Sequence, residues 1–77
     1  MENRISIDPN IQHGKPVIKG TRVPVTRIIG AFAGGMSQQE IIREWEITAE
    51  DIRAALNYAC ELIEEEEFYP VANPETR

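Results

Sequence analysis

The sequence predicts a mainly α fold: a three-helix, homeodomain-like helix-turn-helix core carrying a short N-terminal strand and a β-hairpin. Three observations predict it. Apolar residues recur at steps of three and four over residues 26–68, with a double glycine, Gly34-Gly35, breaking the pattern. Two helix starts carry capping spacing, Ser37 with Glu40 and Thr48 with Asp51, only eleven residues apart. Before residue 26 the pattern is short and alternating, punctuated by Pro9, Gly14, Pro16, Gly20 and Pro24.

The elements follow in order. Arg4-Ile5-Ser6-Ile7-Asp8 alternates polar and apolar with period two, as a strand does, and Asp8-Pro9-Asn10 ends it with turn chemistry. Residues 11–15 connect, with His13 as a loop residue. Pro16-Val17-Ile18 is extended, and Lys19-Gly20 supplies a two-residue turn in which Gly20 takes positive φ. Thr21-Arg22-Val23-Pro24-Val25 returns; Pro24 has no N–H, which keeps this strand short or at an edge. The first helix runs from Thr26 to Ala33, with Gly34-Gly35 as its stop. The second spans Ser37 to Trp45, and the third starts near Thr48 and reaches toward Phe68. Met36, Ile41, Ile42, Trp45, Ile47, Ile52, Ala55 and Leu56 form the seam between these two. The third helix carries a stripe of Ile52, Ala55, Leu56, Ala59, Cys60 and Ile63, which places Cys60 in the core. Residues 1–69 form one domain, with a β-element over 4–25 and the helical core over 26–68; residues 70–77 form a flexible tail.

Seventy-seven residues build only a marginal core, and a lone cysteine forms no internal disulfide, so pairing with a second chain is expected. No stretch approaches a membrane span and no signal peptide opens the chain, which points to a soluble, cytoplasmic protein. One histidine and one cysteine give no metal-ligand spacing, no phosphate-loop pattern occurs, and no acid/base pair marks a pocket. The expectation is a chain that is not an enzyme, with no cofactor, no metal and no small-molecule substrate.

The net charge of −5 conceals a division. Residues 1–35 hold five cations against two acids; residues 36–77 hold three cations against eleven acids. Glu64, Glu65, Glu66 and Glu67, followed by Phe68 and Tyr69, read either as a solvated helix end or as an acidic arm with aromatic anchors for a basic protein partner. Lys15, Lys19, Arg22 and Arg27 surround the hairpin, and Arg43, Arg53 and Asn57 lie on the helix-turn-helix; these are the candidate nucleic-acid contacts, and the four around the hairpin read equally as partners for the acidic helix of the same or a neighbouring chain. Glu46, Glu50 and Asp51 lie where phosphates would approach the motif's second helix, which weakens base reading by that helix alone.

Three blocks resemble the family called domain of unknown function 433. They are Gly14-Lys15-Pro16-Val17-Ile18-Lys19-Gly20-Thr21-Arg22-Val23-Pro24-Val25, Gly35-Met36-Ser37 with Glu40-Ile41-Ile42, and the run from Ile47 to Ala59. The likeness spans about residues 4 to 60. Many members carry Tyr-Pro before the third helix, where this chain has Trp45-Glu46. The resemblance implies a homeodomain-like core and a VapB-like antitoxin that sequesters a PIN-like ribonuclease and represses its own operon. The antitoxin-like chain is expected to be a homodimer paired through the N-terminal β-elements. Two other readings stand beside it: a DNA-binding regulator, and a structural homodimer module with neither activity.

Overall fold

The structure is a computed structural model; it describes residues 4–65, the side chain of Glu65 excepted. Two short strands, β1 (Ile5–Ser6) and β2 (Val17–Ile18), precede three helices, α1 (Val25–Ala33), α2 (Gln38–Trp45) and α3 (Ala49–Glu65). The predicted mainly helical architecture with a small N-terminal β-element is therefore present.

The β-element differs in its pairing. β1 runs antiparallel to β2, with Ile5 opposite Ile18 and Ser6 opposite Val17. The expected return strand contracts to one bridge, Val17 with Pro24, flanked by Ile18 N–H donating to Val23 (2.9 Å) and Val25 N–H donating to Pro16 (2.9 Å). Pro24 has no proton to extend this ladder. β2 is thus central, and Val17 and Ile18 are buried. The turn between them forms as expected: Thr21 N–H donates to Ile18 at 3.0 Å and Gly20 takes φ 83°.

α1 starts at Val25, one residue before the expected Thr26. It closes with Gly35 N–H donating to Phe32 (3.0 Å) and Met36 N–H donating to Ala31 (3.0 Å), while Gly35 takes φ 99°. That is a Schellman stop, and only glycine adopts its left-handed residue without strain. Both capping boxes form. Ser37 Oγ accepts from Glu40 N–H (3.1 Å) and Glu40 Oε1 accepts from Ser37 N–H (2.8 Å). Thr48 Oγ1 accepts from Asp51 N–H (3.0 Å) and Asp51 Oδ2 accepts from Thr48 N–H (3.0 Å).

α2 ends on a less comfortable residue. Glu46 takes φ 56°, ψ 46°, and its N–H donates to Ile42. A side chain in this region costs about 1 kcal/mol, and an acid at a helix C-terminus opposes the dipole by about 0.3–1 kcal/mol. Glu46→Gly is expected to raise stability by about 1 kcal/mol, or roughly 4–8 °C in melting temperature. Glu46→Ala removes the charge and keeps the strain, so it should gain less. Equal gains from both variants in thermal melts would refute the strain account.

The core joins both halves of the chain. Ile5, Ile18, Val25, Ile28, Ile41, Ile47, Ile52, Ala54 and Ala55 form one buried cluster, with Met36, Ile42, Trp45 and Tyr58 packed at its rim. Two expectations for the apolar stripe of α3 are corrected. Leu56 is 44% exposed, and Cys60 is an exposed free thiol rather than a core residue. α3 has 17 residues, whereas α1 has nine and α2 eight, so its second half extends past the elements that cover its first.

Candidate interaction surface along the third helix

The N-terminal end of α3 is locked to the β-element. Arg4 Nη1 donates to Asp51 Oδ1 at 3.0 Å, while Asp51 Oδ2 completes the Thr48 box. The Asp51 side chain is only 14% exposed. Both Asp51 oxygens are engaged within the chain, and Arg4 offsets part of its charge. Glu46 and Glu50 remain exposed at this end. The sequence offered no local signal for the Arg4–Asp51 pair, because 47 residues separate its members.

Beyond Ala55 the helix changes character. Leu56, Leu62 and Ile63 are exposed, as is Cys60. Leu56, Ala59, Cys60 and Ile63 are spaced by three and four, so they share one side. Leu62 follows buried Ala55 by seven residues and continues the core-facing line, yet it is 46% exposed. Glu61 and Glu64 are exposed along the same two turns, and Cys60 Sγ lies 3.9 Å from Glu64 Oε2. The uncovered half of α3 is therefore apolar on one side and anionic beside it. Of the expected arm, Glu64 is exposed on α3, Glu65 is the last described residue of α3, and Glu66, Glu67, Phe68 and Tyr69 lie outside the described residues.

The cationic candidates fall into three groups. Lys15, Lys19, Arg22 and Arg27 are exposed around the β-element. Lys19 N–H donates to Arg4 C=O at 2.7 Å, which brings the turn beside the start of α3. Arg53 and Asn57 are exposed, one turn apart, on the first half of α3. Arg43 is separate, in a shallow depression of about 350 Å³ lined by Met36, Glu40, Arg43 and Glu44, where two carboxylates offset its charge. Among the described residues, Arg4–Asp51 is the only ion pair and no cluster of histidine, cysteine and acids could hold a metal. No helix there is long and apolar enough to cross a membrane.

A backbone feature escaped the sequence reading. Gln12, His13 and Gly14 take φ of 52°, 58° and 83° in succession, a single left-handed turn closed by Gly14 N–H on Ile11 (3.1 Å) and Lys15 N–H on Gln12 (3.1 Å). Only Gly14 announces such geometry; Gln12 and His13 adopt it against their own preference.

Residues 5–59 match the family described as protein of unknown function, DUF433. The chain belongs to the DUF433 family. Its DUF433 unit covers β1 to the middle of α3, so the exposed end with Cys60, Ile63 and Glu64 lies beyond the matched residues. The chain is similar to the uncharacterised protein y4eO of Sinorhizobium fredii, at 39% identity over 56 residues, 71% of this chain and 25% of that protein. It resembles the crystal structure of a DUF433 member from Anabaena variabilis with a TM-score of 0.76 and 31% identity, over 83% of this chain and 64% of that one. It also resembles the crystal structure of Rv2018 from Mycobacterium tuberculosis, with a TM-score of 0.62 and 29% identity, over 68% of this chain and 24% of that one. The chain thus spans about a quarter of y4eO and of the Rv2018 chain.

Proposed function

We propose that this DUF433 chain is a non-catalytic binding module of the antitoxin type, acting in the cytoplasm and occupying a basic cleft on a PIN-like ribonuclease with the acidic end of α3. The observation that carries the reading is the uncovered distal half of α3, where Glu61 and Glu64 stand exposed beside Leu62 and Ile63. The run Glu64-Glu65-Glu66-Glu67 extends that charge in the sequence. A nuclease that binds RNA needs cationic groups around its carboxylates, and a carboxylate-rich helix meets them as a polyanion does.

The test is a four-site variant, Glu64→Gln, Glu65→Gln, Glu66→Gln and Glu67→Gln, which removes charge and keeps helix propensity. The unaltered chain is expected to co-purify with a PIN-like ribonuclease encoded beside it and to inhibit RNA cleavage. The variant should lose at least tenfold in inhibition while its far-ultraviolet dichroism is unchanged, since charged interface pairs are worth 1.4 kcal/mol or more. Full inhibition by the variant, or the absence of such a neighbouring nuclease, would sink the reading.

One observation favours a second reading, binding of operator DNA. Arg53 is exposed on the first half of α3, and the cationic turn at Lys19 lies near the same end of that helix. Retardation of upstream DNA that weakens with salt and with Arg53→Ala would support it.

A further inference from the structure

The hydrogen bonds of the small sheet fix which way each residue of β1 points. Lys19 N–H donates to Arg4 at 2.7 Å, and Ser6 lies opposite Val17. In an antiparallel ladder, bonded residues alternate with residues whose N–H and C=O face the other way. Arg4 and Ser6 therefore face β2, and the N–H and C=O of Ile5 and Ile7 face the outer edge. No backbone group of the described residues bonds to them there. The opposite edge of the sheet is already closed, because β2 bridges to Pro24, which has no N–H to offer. Beside the open edge stands Ile7, 55% exposed, on the same side of the strand as buried Ile5. We propose that this edge takes the β1 strand of a second copy of this chain, antiparallel, about a two-fold axis through Ser6. The proposal goes beyond nuclease binding and does not depend on it.

The strand matches itself. In a two-fold pair, residue i meets j of the other copy and j meets i. The outward groups sit at Ile5 and Ile7, one residue to either side of Ser6. With the axis at Ser6, Ile5 of each copy exchanges N–H···O bonds with Ile7 of the other. An axis at Ile7 would set Ile5 against Pro9, which lacks a donor. An axis at Ile5 would leave exposed Ile7 opposite Asn3, a polar residue.

The side chains agree with that register. Ile7 lands opposite Ile5, which belongs to the other copy's buried cluster, and cross-strand apolar pairs of this kind stabilise a sheet. Arg4 falls opposite Asp8, so no like charges meet at the strand ends. The register does not rest on that last pair, since Arg4 already bonds Asp51. The sheet itself gains: its two strands have two residues each, which is marginal, and pairing doubles their number. So short an edge buries less than a standard interface of about 1,200–2,000 Å². The pairing is therefore expected to be reversible.

The test uses the full chain. Sedimentation over a range of concentrations should show a reversible monomer–dimer equilibrium. Ile7→Lys, at an exposed site and so compatible with folding, should raise the dissociation constant at least tenfold, because a lysine blunts a strand edge and the symmetry introduces it twice. A second variant does not depend on the first. Ser6→Cys, with Cys60→Ser to remove the native thiol, puts two thiols on directly opposed residues about 4.5 Å apart at Cα, within disulfide reach. Mild oxidation should join that variant into a covalent dimer. A chain that stays monomeric at high micromolar concentration overturns the proposal, whether the edge is bare or taken by residues 66–77. A dimer indifferent to Ile7→Lys overturns it in favour of another surface, and a dimer that Ser6→Cys fails to cross-link overturns the register.

Discussion

Ile28→Ala is expected to remove about 3 kcal/mol of stability, within the 2–5 kcal/mol typical of a fully buried isoleucine. Ile28 is 0% exposed and belongs to the cluster that joins Ile5 and Ile18 of the β-element to Ile52 and Ala55 of α3. A chain of this length has roughly 4–11 kcal/mol in total, so the loss takes much of it. Denaturant titration followed by Trp45 fluorescence should show the midpoint falling, with the slope little changed if the native state stays intact. Ile28→Val, which removes one methylene, should lose only about 1 kcal/mol. Equal losses from the two variants would show that the site collapses around the smaller side chain and that tight packing is not its role.

Asp51→Ala is expected to cost about 2 kcal/mol. Three effects contribute: the bond from Thr48 N–H at 3.0 Å, the negative charge in the first turn of α3, and the bond from Arg4 at 3.0 Å. The first is worth about 1 kcal/mol and the second about 0.5 kcal/mol. The ion pair adds a few tenths, because Arg4 is 51% exposed and solvent screens it. Arg4→Ala alone should therefore cost no more than about 0.5 kcal/mol, and its coupling to Asp51 in a double-mutant cycle should shrink as salt is raised. If Arg4→Ala proved as damaging as Asp51→Ala, the β-element would depend on that one bridge rather than on buried Ile5 and Ile18.

Local chemistry was legible in the sequence. Ser37 with Glu40, Thr48 with Asp51, Gly35 and Gly20 each announce a backbone event within a few residues, and each event occurs. What was not legible depends on distance or on strain. β1 could have paired anywhere; its partner β2 is settled by the shared burial of Ile5 and Ile18. Arg4 finds Asp51 only because the fold brings the first strand to the start of the last helix. Glu46, Gln12 and His13 take positive φ without a glycine or asparagine to signal it. Cys60 was misplaced for another reason. Periodicity tells which side of a helix is apolar, and says nothing of how far the neighbouring elements extend to cover it. The candidate surface on α3 arises from that difference: the sequence showed the stripe and the acids, and the structure shows the part of the stripe left uncovered.

α3 runs unbroken through Ala59. The half that packs on the core and the half that stands clear of it share a single rotational phase. Each helical position turns the chain by about 100° and advances it by about 1.5 Å. One residue inserted after Asn57 would swing Cys60, Ile63 and Glu64 about 100° around the axis, taking Ile63 out of line with Leu56. Four inserted residues would turn them by about 400°, close to the original bearing and about 6 Å farther out. The helix thus acts as an indexed shaft, holding its exposed groups at a set angle as well as a set distance from the core.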